Sequence, residues 1–95
     1  MSFLSRFRRK KEDPEIARRV LLLRSGRIGE ATVLATDTDS EGNQILAYCY
    51  TVAGVDYETV QRLDEEQVRR PDRYLPGSRV DLRYDPRHPT NSLVV

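Results

Sequence analysis

Past Gly29 the apolar residues stop recurring at the helical interval of about 3.6 and begin to alternate, and this change of period divides the chain. Before it, Ile16, Val20 and Leu23 recur at helical spacing, with Ala17 and Leu21 beside them. Asp13 is placed to cap a helix, Pro14 fits its first turn and Glu15 complements its dipole. Arg24 falls in the last turn and Gly26 suits the C-terminal stop. These signals predict a helix over residues 14–25.

After the change, Ala31, Val33 and Ala35 alternate with Thr32, Leu34 and Thr36, which is strand chemistry. Asp37 to Asn43 is a polar turn, and Gln44 to Ala53 is the next strand. Leu46, Tyr48, Tyr50 and Val52 share one of its faces, and Ile45, Ala47, Cys49 and Thr51 the other. Both faces are fairly apolar, which predicts a central position in the sheet. Gly54 opens a tight turn into a third strand over Val55 to Leu63. Asp64-Glu65-Glu66-Gln67 has capping-box spacing, and the short helix it starts ends at Pro71. Pro76-Gly77 is a turn signal. Val80, Leu82 and Tyr84 then mark a strand with one wet face. Asp85-Pro86-Arg87-His88-Pro89 reads as a rigid turn, and Ser92 to Val95 as a short last strand.

Local hairpins in this order predict a mainly β (α+β) fold. The expected form is a small antiparallel β-barrel or curled sheet of about five strands with an N-terminal helix packed across it. That helix is suited to cover an open end or edge of the sheet and protect it from edge pairing.

The chain has 95 residues, enough for one domain with a small core. The expected division is a basic tail over residues 1–12 and a β domain with its helix over 13–95. A single cysteine, Cys49, excludes an intramolecular disulfide and suits a reducing cytoplasm. No apolar run approaches the roughly 20 residues that span a bilayer. The longest, Val20 to Leu23, has Arg18, Arg19 and Arg24 around it. The basic N-terminus has no apolar stretch after it of the kind a signal peptide needs.

Charge is divided unevenly. Residues 1–11 hold five basic residues and no acid; the remainder holds 11 basic and 15 acidic residues. Arg6, Arg8, Arg9, Lys10 and Lys11 are therefore the candidate contacts for an anionic partner. Phe3, Leu4 and Phe7 share a helical face, and aromatic residues beside basic charge suit an anionic membrane surface.

The C-terminal half carries a longer pattern. Tyr74-x-Pro76-Gly77-x-x-Val80-x-Leu82-x-Tyr84-Asp85-Pro86-x-x-Pro89 leads into Ser92-Leu93-Val94. Upstream are Gly29-x-Ala31-x-Val33 and Tyr48-x-Tyr50-x-Val52-x-Gly54-x-x-Tyr57. Together these resemble the DUF3592 family of small, uncharacterised, mainly bacterial domains, over about residues 14–95. The resemblance implies a fold and brings no established activity.

No catalytic, metal or cofactor site emerges. Asp37-x-Asp39-x-Glu41-Gly42 resembles the start of a calcium loop, but Gln44 and Tyr48 stand where an apolar residue and the closing glutamate belong. His88 is the only histidine and lacks partners for a triad or metal site. Cys49 reads as a small buried hydrophobe. Gly77, Asp85, Pro86 and Pro89 read as turn-setting residues, with the Asp85 carboxylate accepting turn N–H groups. The tyrosines read as core residues with hydroxyls at the rim.

The expected function is therefore a non-catalytic binding or scaffolding module acting through contacts with an unknown protein partner or, by edge pairing, a second copy. Docking on anionic lipid through the basic tail is the alternative, placing the protein at the membrane surface. Nucleic-acid binding ranks below both. The phosphate attraction that dominates it is weak outside the tail of an otherwise acidic chain.

Overall fold

The computed structural model describes residues 14–95. The basic residues Arg6, Arg8, Arg9, Lys10 and Lys11, the apolar Phe3, Leu4 and Phe7, and the capping position Asp13 lie outside the described residues. Helix α1 spans Pro14–Ser25. The strands are β1 (Arg27–Thr38), β2 (Gln44–Val52), β3 (Val55–Arg62), β4 (Arg79–Asp85) and β5 (His88–Val94). Between β3 and β4 run the one-turn helix α2 (Glu65–Val68) and a 3-10 turn (Pro71–Tyr74).

The strands form one antiparallel sheet in the order β3-β2-β1-β4-β5, curled into a nearly closed barrel. β2 is an interior strand, paired on both sides as its apolar pattern predicts, and β1 lies in the middle of the order. Its first half, Arg27 to Thr32, pairs with β4, and its second half, Thr32 to Thr38, pairs with β2. One long strand thus serves both halves of the sheet. Between Val33 and Ala35 the register shifts, with Leu34 as the extra residue. A bulge of this kind bends the strand and increases its twist. It also switches the inward positions, so that Thr36 lines the same hollow as Leu63 and Tyr74.

Period-two alternation fills the interior. Ala31 and Val33 come from β1, Leu46, Tyr48 and Tyr50 from β2, Val80 and Leu82 from β4, and Val94 from β5. Tyr74 on the 3-10 turn completes the cluster. Tyr48 and Tyr50 stack with ring centroids 5.8 Å apart, and Tyr50 stacks on Tyr57 at 5.4 Å. The hydroxyl of Tyr48 is not at the rim. It shares a buried 2.7 Å hydrogen bond with Ser92 Oγ, and burial pushes its pKa up. Cys49 is half-buried on the outer face, because the parity that puts Tyr48 and Tyr50 inside turns the residue between them outward.

The two edge strands, β3 and β5, face each other across a seam that is joined by side chains. Gln61 of β3 points inward and presents its amide as a strand would present a peptide group. Its Oε1 accepts the Val94 N–H at 2.8 Å, and its Nε2 donates to the Val94 carbonyl at 3.0 Å. Gln67 adds a second donor to that carbonyl at 2.9 Å. Gln67 is itself held by the capping box of α2. Its backbone N–H reaches Asp64 Oδ1 at 2.8 Å, and its Oε1 accepts the Asp64 N–H at 3.0 Å. Both glutamines are buried. A buried amide is stable only when its donors and acceptors are met.

The turns follow local chemistry. In the Ala53-Gly54 hairpin both residues have positive φ, 52° and 82°. Two-residue hairpins of this twist favour Asn-Gly, and alanine there carries a Cβ penalty. The last hairpin is tighter than expected: its turn is Pro86-Arg87, and His88 and Pro89 already belong to β5.

Two stability predictions follow from the seam and the hairpin. Gln61→Leu leaves the buried Val94 N–H without a partner and should cost about 2 kcal/mol in urea unfolding. Glu58→Ala, exposed on the same strand, should stay within about 0.5 kcal/mol. Equal effects would mean that the seam is not held by Gln61. Ala53→Asn should raise stability by about 0.5–1 kcal/mol in the same assay, because asparagine tolerates the left-handed region.

Candidate functional site

An amphipathic helix on a globular domain ordinarily turns its apolar stripe to the core. In α1 the arrangement is reversed. Glu15, Arg18, Arg19 and Leu22 face the domain, and of these Leu22 is fully buried at 3 % exposure. Ile16, Val20, Leu21 and Leu23 are 58, 44, 62 and 49 % exposed. At 100° per residue, Ile16, Ala17, Val20, Leu21 and Arg24 fall on the arc opposite Leu22.

The surface beneath the helix explains the reversal. The helix reaches both sides of the β3–β5 seam. Arg18 Nη1 donates to the Ser92 carbonyl of β5 at 2.9 Å and to Asn91 Oδ1 at 3.0 Å. Arg19 Nη2 donates to the Arg62 carbonyl of β3 at 2.7 Å. These are backbone oxygens of edge strands, and they call for donors rather than methyl groups. Glu15 holds both guanidinium groups in place. It pairs with Arg18 through two hydrogen bonds of 2.9 and 3.1 Å and with Arg19 at 2.6 Å. The hydrogen bond from Arg18 lowers the Glu15 pKa to about 2 against the opposing effect of burial, and Arg19 and both positive charges assist. At the other end of the helix, Arg83 Nη1 donates to the Leu23 carbonyl at 3.1 Å, satisfying a C-terminal group. Leu22 and Leu93, on the outward parity of β5, supply the buried apolar contribution.

The outer surface of α1 is thus a set of exposed aliphatic residues held rigidly by a polar underside. The helix pattern shows two stripes, and the apolar one was legible from the start. What spacing alone does not reveal is which stripe faces inward. That depends on seam carbonyls contributed by residues more than forty positions later in the chain.

The other candidates are occupied by the fold. Asp39 Oδ1 accepts the N–H groups of Glu41 and Asn43 at 2.9 and 2.8 Å, and these bonds, the Asn43 one foremost, lower its pKa. Asp85 Oδ1 accepts the Arg87 N–H at 2.9 Å. Pro86 occupies the turn, and the Pro89 carbonyl accepts the Tyr50 hydroxyl. Gly77 takes φ +88° where the chain enters β4, and its N–H reaches the Val33 carbonyl at 2.8 Å. Beneath α1 lies a hollow of about 320 Å³ between Leu23, Tyr74 and Leu93. The Arg19 and Gln67 side chains at its wall are already bonded to Glu15, Arg62, Asp64 and Val94. Among the described residues no three His, Cys, Asp or Glu side chains converge as a metal site would require.

Protonation of Glu15 should loosen the helix. Its carboxyl titrates near 4.5 when unfolded and near 2 when folded. Its contribution is therefore complete above about pH 4.5 and is lost as pH falls toward about 2. Because the carboxyl is 43 % exposed, solvent screening limits that contribution to on the order of 1 kcal/mol. Glu15→Gln should lower thermal stability near neutral pH and match the wild type near pH 2. Equal stability near neutral pH would show that the carboxylate does not hold the arginines.

No curated protein and no solved structure matches this chain. A family model, described as a domain of unknown function, matches residues 25–95, which takes in every strand and begins at the last residue of α1. The chain belongs to the DUF3592 family of domains of unknown function.

Proposed function

We propose that this domain is a non-catalytic docking module whose working surface is the outward face of α1. The observation that carries the reading is the reversed helix: Val20 and Leu21 are exposed while Glu15, Arg18 and Arg19 lie against the barrel. Aliphatic residues on an ordered helix that contribute nothing to the core are a recognition surface in waiting. The barrel supports this role by fixing the helix at the seam. A catalytic reading has less to support it, because Arg19, Asp64 and Gln67 at the hollow under α1 are engaged with one another's neighbours and with backbone. The readings in which the face meets a protein and in which it meets lipid share this surface and differ in the charge they require around it.

The test is a double variant, Val20→Ser with Leu21→Ser. If the face is spare surface, the variant melts within about 2 °C of the wild type, consistent with the small effects of surface substitution. The fluorescence of an apolar dye that binds the wild type should fall several-fold. An unfolded or strongly destabilised variant would show that these residues serve the core, and would overturn the reading.

A further inference from the structure

Apart from the α1 surface, we infer that the open part of the β3 edge, Asp56 to Val60, accepts an added β-strand from a partner protein. The strand it fits carries cationic side chains at alternate positions along one face.

The hairpin that starts β3 decides which of its backbone groups are free. In an antiparallel pair, opposite residues alternate between exchanging both backbone bonds and exchanging none. The two-residue turn makes Val52 and Val55 a bonded pair. The Leu63 N–H donates to the Gln44 carbonyl at 2.9 Å, an even number of residues further along each strand, and confirms that phase. Tyr57, Thr59 and Gln61 therefore bond to β2, whereas the N–H and C=O groups of Asp56, Glu58 and Val60 point away from it. Those groups have no partner among the described residues. Each bond shown from β3 to β5 or α1 falls at Gln61 or Arg62, so the seam is closed at that end and unbonded before it. The side chains of Asp56, Glu58 and Val60 are exposed, and no bulge or proline interrupts the strand. Unpaired edge groups of this kind are what an extended peptide adds to.

Charge beside the edge selects the occupant. Asp56 and Glu58 share the outer face with Thr51 and Cys49, the residues opposite them on β2. A shallow hollow of about 600 Å³ on that face also takes in Glu30 and Arg79. Arg79 pairs with Glu30 at 3.3 Å, and Thr51 Oγ1 donates to Asp56 Oδ1 at 2.6 Å. Three carboxylates thus surround one guanidinium that is already paired. The next cation along β3, Arg62, stands at the closed end. A residue on an added strand opposite Glu58 shares its face, and the residue two places away comes opposite Asp56. Opposite charges at such positions stabilise a pair and like charges destabilise it. Cations two residues apart therefore answer the acids while the backbone of the added strand satisfies the edge.

A second copy of this chain fits less well. Two β3 edges paired about Glu58 set Glu58 against Glu58 of the second copy, and paired about Tyr57 they set Asp56 against Glu58. Pairing about Thr59 brings Asp56 to Arg62, whose carbonyl Arg19 already holds.

The experiment is fluorescence anisotropy of the full chain with a short labelled peptide of alternating lysine and threonine, at physiological salt. The comparisons are a peptide with glutamine in place of lysine and the lysine peptide N-methylated along its centre. The lysine peptide should bind about tenfold more tightly than the glutamine peptide, and roughly three- to tenfold more weakly to Asp56→Asn/Glu58→Gln. N-methylation keeps the charges and removes the donors, and should weaken binding by about tenfold or more. On binding, the Asp56, Glu58 and Val60 amides should exchange with deuterium several-fold more slowly. Equal binding of the methylated peptide would overturn the proposal, because charge alone would then hold it. Equal binding of the glutamine peptide, or to the amide variant, would overturn it too, because the acids would then not select the strand. Absence of binding would overturn it and leave Asp56 and Glu58 as guards against edge pairing. This edge shares no residue with the α1 face, so the peptide measurement and the dye measurement on Val20→Ser with Leu21→Ser stand or fall separately.

Discussion

A backbone N–H or carbonyl that leaves water must find another partner, and the seam between β3 and β5 is where this protein meets that demand with side chains. A fully closed barrel would continue its ladder across the gap. Here Gln61 stands in for a strand, Gln67 reaches the same Val94 peptide from a separate element, and two arginines of α1 take carbonyls on either side. The arrangement closes one end of two exposed edges without a further strand, which limits pairing with neighbours there.

The character of α1 follows from that demand. Its underside must bring donors, so its arginines are turned inward, and a carboxylate must accompany them to orient and neutralise them. Little room is left for apolar packing beyond Leu22. The helix is consequently held more by hydrogen bonds than by buried area, unlike the barrel beneath it. Polar docking of this sort is directional, and it frees the opposite surface of the helix from any duty to the core. The family match covers the strands and reaches α1 only at Ser25, so this surface is a property of the chain rather than of the matched pattern.

Much of the fold was legible in the sequence because alternation is a local signal. The positions of α1, the capping box at Asp64, the tight turn at Gly54 and the inward tyrosines all follow from neighbours within a few residues. What stayed hidden depends on distant pairing. The two fairly apolar faces of β2 mark it as an interior strand, which it is, but no local pattern says that β1 lies in the middle, its two halves pairing with different strands. Cys49 could have been placed by strict parity from Tyr48. Gln61 offered a signal as well, since it falls on the same parity as Tyr57 and Thr59, and an amide in that position asks for a buried partner. Its partner, Val94, lies 33 residues on, and no local pattern names it. The orientation of α1 was the least accessible feature, because a helix with two distinct stripes can be turned either way until the surface beneath it is known.

The seam also sets an order of events. Arg18 and the Ser92 carbonyl it holds are 74 positions apart. A helix forms in about a microsecond, while at 5–20 residues per second synthesis takes on the order of 4–15 s to cover that distance. During that interval the helix segment lacks the strand edge that later fixes it, and a helix of 12 residues is marginal in water by itself. Closure of the seam and fixing of the helix therefore belong to one late step, taken when the last strand is made.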